Sequence, residues 1–197
     1  MGSEPEFVVR PATQQDVPAI NAILTYYALE TVITFATTAL PDSAVAAKLE
    51  STISEHHLPF FVATTRSSSA SSGARDLESN SSYEVIGICY VSPYRAERLA
   101  YRHTGEMTLM IHHEHQSKGI GSALLRAVIS VLRGTRIREL LAVMAVDETG
   151  PGKGLVLRDY YKRWGFREVG TLENVGFKFD RWQVIKPVDW RYIRLAD

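Results

Sequence analysis

The stretch EMTLMIHHEHQSKGIGSALLRAVISVLRG, Glu106 to Gly134, carries two different periodicities with a polar break between them. Glu106 to His112 is a short, mostly apolar run of strand length. After the break, Ile120, Leu124, Leu125, Val128 and Leu132 recur at helical spacing until Gly134 stops them. The reading is a strand, a loop and a helix. In such a unit the free N–H groups of the first helical turn and the helix dipole point to one spot, which suits an anion.

The loop itself, Gln116-Ser117-Lys118-Gly119-Ile120-Gly121-Ser122, fits that role, although a glycine-rich turn that merely starts a helix has the same composition. Its two glycines let a phosphate approach the main chain, and Lys118 or Ser122 supplies a further donor. A Walker A loop is excluded, because the only Gly-Lys pair, Gly152-Lys153, is followed by Gly154. A dinucleotide fingerprint is disfavoured, since its third glycine is replaced by Leu124.

Working outward, Phe7 to Arg10 reads as a strand, and Thr13-Gln-Gln-Asp16 as a capping box variant opening a helix with Val17, Ile20, Leu24 and Tyr27 on its buried stripe. TVITFATTAL (31–40) follows, with no periodicity that assigns it a role. Pro41-Asp42-Ser43 starts a second helix. Phe60 to Thr65 and Tyr83 to Val91 are predicted to pair as a hairpin. Residues 67–82 between them are Ser-rich and poor in apolar side chains, and read as a mobile insertion in one domain spanning 1–197. Glu139 to Val146 is a further strand, Leu157 to Trp164 an amphipathic helix closed by Gly165, and Phe166 to Val184 two last strands. The class is mixed α/β.

Composition narrows the function. With 22 basic against 22 acidic residues the formal charge is zero, which gives no field to attract nucleic acid or an anionic membrane. The single cysteine, Cys89, rules out an intrachain disulfide, and IGICYV around it reads as core. His112, His113 and His115 lack metal-ligand spacing, so no metal is expected. No apolar run reaches membrane-spanning length, and the start lacks a signal pattern, so a soluble cytoplasmic protein is expected.

Gln-x-x-Gly-x-Gly opening a helix after a strand resembles the acyl-CoA pyrophosphate loop of the GCN5-related N-acetyltransferase (GNAT) superfamily. Tyr160-Tyr161-Lys-Arg-Trp-Gly165-Phe166 is similar to that superfamily's Leu-Tyr-x-x-x-Gly-Phe stretch, and YALETVITF, YVSPYRAERLAYRHTGE and GFKFDRW look like segments of its phosphinothricin and methionine sulfone acetyltransferase branch. The resemblance spans roughly Val8 to Pro187. It implies a mostly antiparallel central sheet splayed between its middle strands and flanked by helices. It also implies acetyl-CoA as co-substrate, a small-molecule amine as acceptor, and a homodimer.

The same resemblance implies roles. Glu106, in Thr104-Gly-Glu106, is the expected base that deprotonates the amine. Main-chain N–H groups at Leu109, Met110 and Ile111 are the expected oxyanion donors. Residues Gln116 to Ser122 hold the pyrophosphate, and Tyr161 protonates the departing thiolate, with Tyr160 left to packing. For substrate carboxylate and sulfone groups, Arg95, Arg98, Arg102 and Lys178 are available; Arg98 and Arg102 are preferred, and Thr34 and Phe35 line the pocket wall. Two departures stand out: Gly154 replaces an Asn that contacts the cofactor, and Phe179 replaces a His found in some members. A polyamine, an antibiotic amine or a protein N-terminus as acceptor, or a non-catalytic acyl-CoA-binding module, stay open.

Overall fold

A computed structural model describes residues 7–66, 83–147 and 155–191. The insertion expected at 67–82 and the loop containing Gly154 lie outside the described residues. Strand β1 (Val8–Pro11) leads through a 3-10 turn into α1 (Val17–Glu30). Asp16 accepts from the Thr13 N–H at 2.8 Å and from its hydroxyl at 3.0 Å, so the helix entry forms where the Thr-x-x-Asp spacing predicts it. Helix α2 (Asp42–Glu50) follows, then the hairpin β2 (Phe60–Arg66) and β3 (Tyr83–Pro93).

Strand β4 (Thr104–Ile111), helix α3 (Ile120–Leu132), β5 (Glu139–Ala145) and α4 (Val156–Arg163) come next. The chain end differs from the two strands expected. A two-residue β6 (Arg167–Glu168) precedes a hairpin of β7 (Leu172–Lys178) and β8 (Arg181–Arg191). β8 outruns its expected end because β5 pairs with it over seven residues, from Glu139↔Arg191 to Ala145↔Ile185. That partner is remote in sequence, and no local signal announces it.

The sheet order is β1-β2-β3-β4-β5-β8-β6, with β7 on β8; every pairing is antiparallel except β4 with β5. Strand β3 is buried on both faces from Val85 to Val91, as a central strand with helices on either side must be. On one face α1 and α2 set Val17, Ile20, Ile23, Val45 and Leu49 against Phe60, Val62, Ile88 and Tyr90. On the other, α3 sets Ile120, Leu124, Leu125, Val128 and Leu132 against Cys89, Val91, Met107, Leu140 and Met144. Its helical stripe is the one read from the sequence, and burial of those side chains at roughly 25 cal/mol per Å2 is what holds helix to sheet.

An irregularity in β3 sets where α3 begins. Opposite Ala63 and Thr64 the register slips by one, so Ile86 is an extra residue in the ladder. Gly87 then lies directly under the helix start: a Cβ there would meet Ile111 Cδ1 at 2.9 Å and Ile120 Cγ2 and Leu124 Cδ1 at 3.1 Å. Glycine at this point lets the first turn of α3 press onto the sheet.

Candidate active site

The parallel ladder between β4 and β5 ends early. Thr104 to Met107 pair with Glu139 to Ala142, after which Thr108 to Ile111 keep only their β3 partners and β5 turns to β8 alone. This divergence is the splay the resemblance implies. Which main-chain groups face the gap follows from the alternation of an antiparallel ladder. Tyr94 N bonds Thr104 O and His112 N bonds Ile86 O, so the even-numbered residues of β4 exchange hydrogen bonds with β3. Leu109 and Ile111 therefore turn their N–H groups toward the gap, whereas Met110, the third oxyanion candidate, is committed to β3.

The gap leads to the start of α3. Ser117 and Gly119 both adopt positive φ, 62° and 79°, which curls the main chain around its own N–H groups. A Cβ at Gly119 would meet nothing within 4 Å, so glycine is needed there for its backbone conformation alone. The first bond of the helix runs from Ala123 N to Gly119 O, leaving the N–H groups of Gly119, Ile120, Gly121 and Ser122 without partners inside the helix. Gln116, Ser117, Lys118 and Gly119 are exposed. The bend is exposed and carries free N–H groups of a first helical turn, the kind of donors an anion takes.

Its entrance is braced. The Tyr27 hydroxyl donates to Ile111 O at 2.8 Å and accepts from Gln116 Nε2 at 3.2 Å. Burial raises the Tyr27 hydroxyl above its ordinary pKa, so it stays a donor. Beside it Tyr26 stacks on His113, with ring centroids 4.2 Å apart. Sequence reasoning assigned Tyr27 to the apolar stripe of α1; only the fold shows that its hydroxyl reaches across to β4. Burial, with the neighbouring His113 and His115, holds His112 below its ordinary value, despite Glu84 and Glu114. Among the described residues no group of three or more His, Cys, Asp or Glu side chains is placed to hold a metal ion.

On α4, Tyr161 and Tyr160 occupy different surroundings. Tyr161 is buried beside Phe166 and belongs to the core that includes Cys89. Burial, then Cys89 and Tyr160, push its hydroxyl well above the usual range. It thus keeps its proton at any physiological pH. The Tyr160 hydroxyl points at the first turn of α3, 3.6 Å from where a Gly121 Cβ would lie, with Leu109 Cδ2 at 3.8 Å from the same point. It is buried and makes no hydrogen bond to a described residue.

Glu106 sits one step before the last β4–β5 pair, Met107 with Ala142, beside Leu141 of β5 and Ser92 of β3. Since Met107 packs on the α3 face, Glu106 and Thr108 turn to the α1 face. There, among the described residues, α1 and α2 pack on side chains of β2 to β4 and none of β5: Val143, on the same face of β5, is 41% exposed. The Glu106 carboxylate makes no hydrogen bond or ion pair with a described residue.

The residues expected to contact the acceptor separate. Arg98 and Arg102 lie exposed around the 3-10 turn Leu99–Tyr101, Arg98 near Glu97 at 3.8 Å. Thr34 and Phe35, in the segment whose role periodicity left open, are held by β7. Lys178 Nζ donates to Thr34 O at 2.8 Å, and the Phe35 ring lies so close over Gly176 that a Cβ there would meet it at 2.5 Å.

Comparison with known proteins agrees with this geometry. Residues 9–183 match the family described as the acetyltransferase (GNAT) domain. The chain is 30% identical over 174 residues to a phosphinothricin N-acetyltransferase of Alcaligenes faecalis, covering 88% of this chain and 77% of that one. Over 104 residues it is 29% identical to the L-methionine sulfoximine/L-methionine sulfone acetyltransferase of Pseudomonas aeruginosa, covering 53% and 56% of the two chains. Its fold superposes on the crystal structure of a GNAT superfamily phosphinothricin acetyltransferase from Sinorhizobium meliloti in complex with AcCoA. The TM-score is 0.75 and the identity 26%, with 94% of this chain and 88% of that one covered. With the splayed sheet, the exposed glycine-containing turn at the start of α3 and a family match over nearly the whole chain, this protein belongs to the GNAT family of acetyltransferases.

Proposed function

We propose that the protein transfers an acetyl group from acetyl-CoA to the amine of a small amino acid or analogue, of the phosphinothricin, methionine sulfone or methionine sulfoximine type. The observation that carries this reading is the divergence of β4 from β5 after Met107. It frees the N–H groups of Leu109 and Ile111 in line with the open start of α3. The relatives named for those substrates support the acceptor class.

The residues have distinct tasks. Glu106 takes a proton from the substrate ammonium, directly or through one water, so that nitrogen regains a lone pair. The amine forms its bond to the thioester carbonyl, and the N–H of Leu109 or Ile111 meets the negative charge that develops on oxygen. As the carbon–sulfur bond breaks, the departing sulfur takes up a proton, and Tyr161 is the donor that the family motif implies. Residues Gln116 to Ser122 hold the pyrophosphate, with Lys118 adding positive charge near His115.

A homodimer is part of the same reading. Val175, Phe177 and Trp182 on the β7–β8 hairpin are 47%, 56% and 62% exposed, a cluster that a second copy would cover. The fully buried Cys89 thiol, its pKa raised by burial, suits a reducing cytoplasm. The test of function is thiol release from acetyl-CoA with phosphinothricin, methionine sulfone, a polyamine and an antibiotic amine. Turnover on the amino acids is expected. No release above background with any amine ends the enzyme reading, and CoA binding without release leaves a binding module.

A further inference from the structure

Lys178 carries a charge in an unusual place. At the end of β7 it is only 5% exposed, yet among the described residues its ammonium has a single hydrogen-bond partner, the neutral carbonyl of Thr34 at 2.8 Å. It lies 5.2 Å from the centre of the Phe179 ring. No carboxylate of a described residue comes within 4 Å of its nitrogen. An ammonium has three N–H donors, and a buried charge is stable only where it is paired or well solvated by hydrogen bonds.

The surroundings hold it there. Lys178 opens the turn Lys178-Phe179-Asp180-Arg181, in which Phe179 and Asp180 both take left-handed φ, 50° and 56°. For a phenylalanine this is a strained conformation. Buried Gln183 maintains it, donating from Nε2 to Lys178 O at 3.1 Å and Arg181 O at 3.2 Å. The opposite wall is the end of α1 and the segment after it. Between the two lies a cavity of about 300 Å3, lined by Leu29, Thr37, Phe177, Lys178, Phe179 and Asp180 among others. Asp180 is at the exposed rim.

We propose that this cavity is an anion subsite in which the Lys178 ammonium binds the carboxylate of the acceptor amino acid. A carboxylate beside the two N–H donors that no described residue uses completes the set that Thr34 begins. Lys178 then does the work that sequence alone assigned to the exposed Arg98 and Arg102. A carboxylate-bearing amine is selected over its ester or over a polyamine. The subsite deepens the acceptor reading above and rests on it.

The test compares the wild-type protein with Lys178→Gln and Lys178→Arg, using methionine sulfone and its methyl ester as acceptors. In Lys178→Gln, KM for methionine sulfone should rise roughly ten- to a hundredfold, while KM for acetyl-CoA and for the ester changes less than about twofold. Lys178→Arg should recover part of the loss. Equal rises for acid and ester, or none for either, overturn the subsite. Should Lys178→Gln fold poorly by circular dichroism, wild-type KM decides: an ester that binds as tightly as the acid also overturns it. If no amine is acetylated at all, calorimetric binding of methionine sulfone to the wild type in the presence of CoA separates the two readings. Heat that is lost in Lys178→Gln keeps the subsite, and no heat removes it.

Discussion

The hydroxyl of Tyr27 joins α1 to the loop before α3 through Gln116, 3.2 Å away, while donating to the last carbonyl of β4 at 2.8 Å. One oxygen thereby fixes the residue that enters the loop relative to the strand whose N–H groups face the gap. Tyr27→Phe keeps the ring in the core and removes only that oxygen. KM for acetyl-CoA should rise about fivefold with kcat nearly unchanged, and stability should fall by about 1 kcal/mol. Steady-state kinetics and a urea melt check both; an unaltered KM would show that Gln116 is placed by other contacts.

Glu106 stands where the paired strands part, on the face that no helix covers beyond β4. Glu106→Gln is nearly isosteric and cannot accept a proton. Its kcat should drop by about 100-fold near neutral pH and by much less at high pH, where free amine is already abundant. A pH–rate profile parallel to that of the wild type removes Glu106 from the base role.

The two tyrosines of α4 make opposite forecasts. Tyr161→Phe should lower kcat by about tenfold or more with any acceptor, because the departing thiolate loses its proton source. Tyr160→Phe deletes a buried hydroxyl that makes no hydrogen bond to a described residue, so its melting temperature should hold or rise. A loss of stability in Tyr160→Phe would mean that the hydroxyl is satisfied in solution, with Ser122 and Trp164 the candidate partners.

Asp16 provides a stability test separate from catalysis. Burial pushes its carboxyl up, but a two-pronged contact with Arg10 at 2.7 Å and the Thr13 N–H and hydroxyl outweigh that and lower its pKa. A lowered folded pKa means stability that is present above the unfolded value, near 4, and is lost as pH falls through the folded one. Asp16→Asn should therefore cost about 1–2 kcal/mol at pH 7, a figure tempered by the partial exposure of Arg10. The gap to the wild type should close in acid. Urea melts at pH 7 and below pH 3 measure it, and a constant difference contradicts the ion-pair account.

What the sequence determined by itself is local and repetitive. The helical stripe of Ile120 to Leu132, the Thr13–Asp16 entry and the hairpin of β2 with β3 are set by side-chain period and capping, which neighbouring residues encode. The loop from Gln116 to Ser122 was legible for the same reason, since glycine at a positive φ is a property of one residue. Tertiary structure decided the rest. It stopped the β4–β5 pairing at Met107, carried Tyr27 over to Gln116, extended β8 along β5, and left Arg98 and Arg102 exposed while burying Lys178 under Thr34. Each of these depends on contacts between segments far apart in the chain, where a residue's chemistry is known but its surroundings, and hence the energy of its charge or hydroxyl, are not.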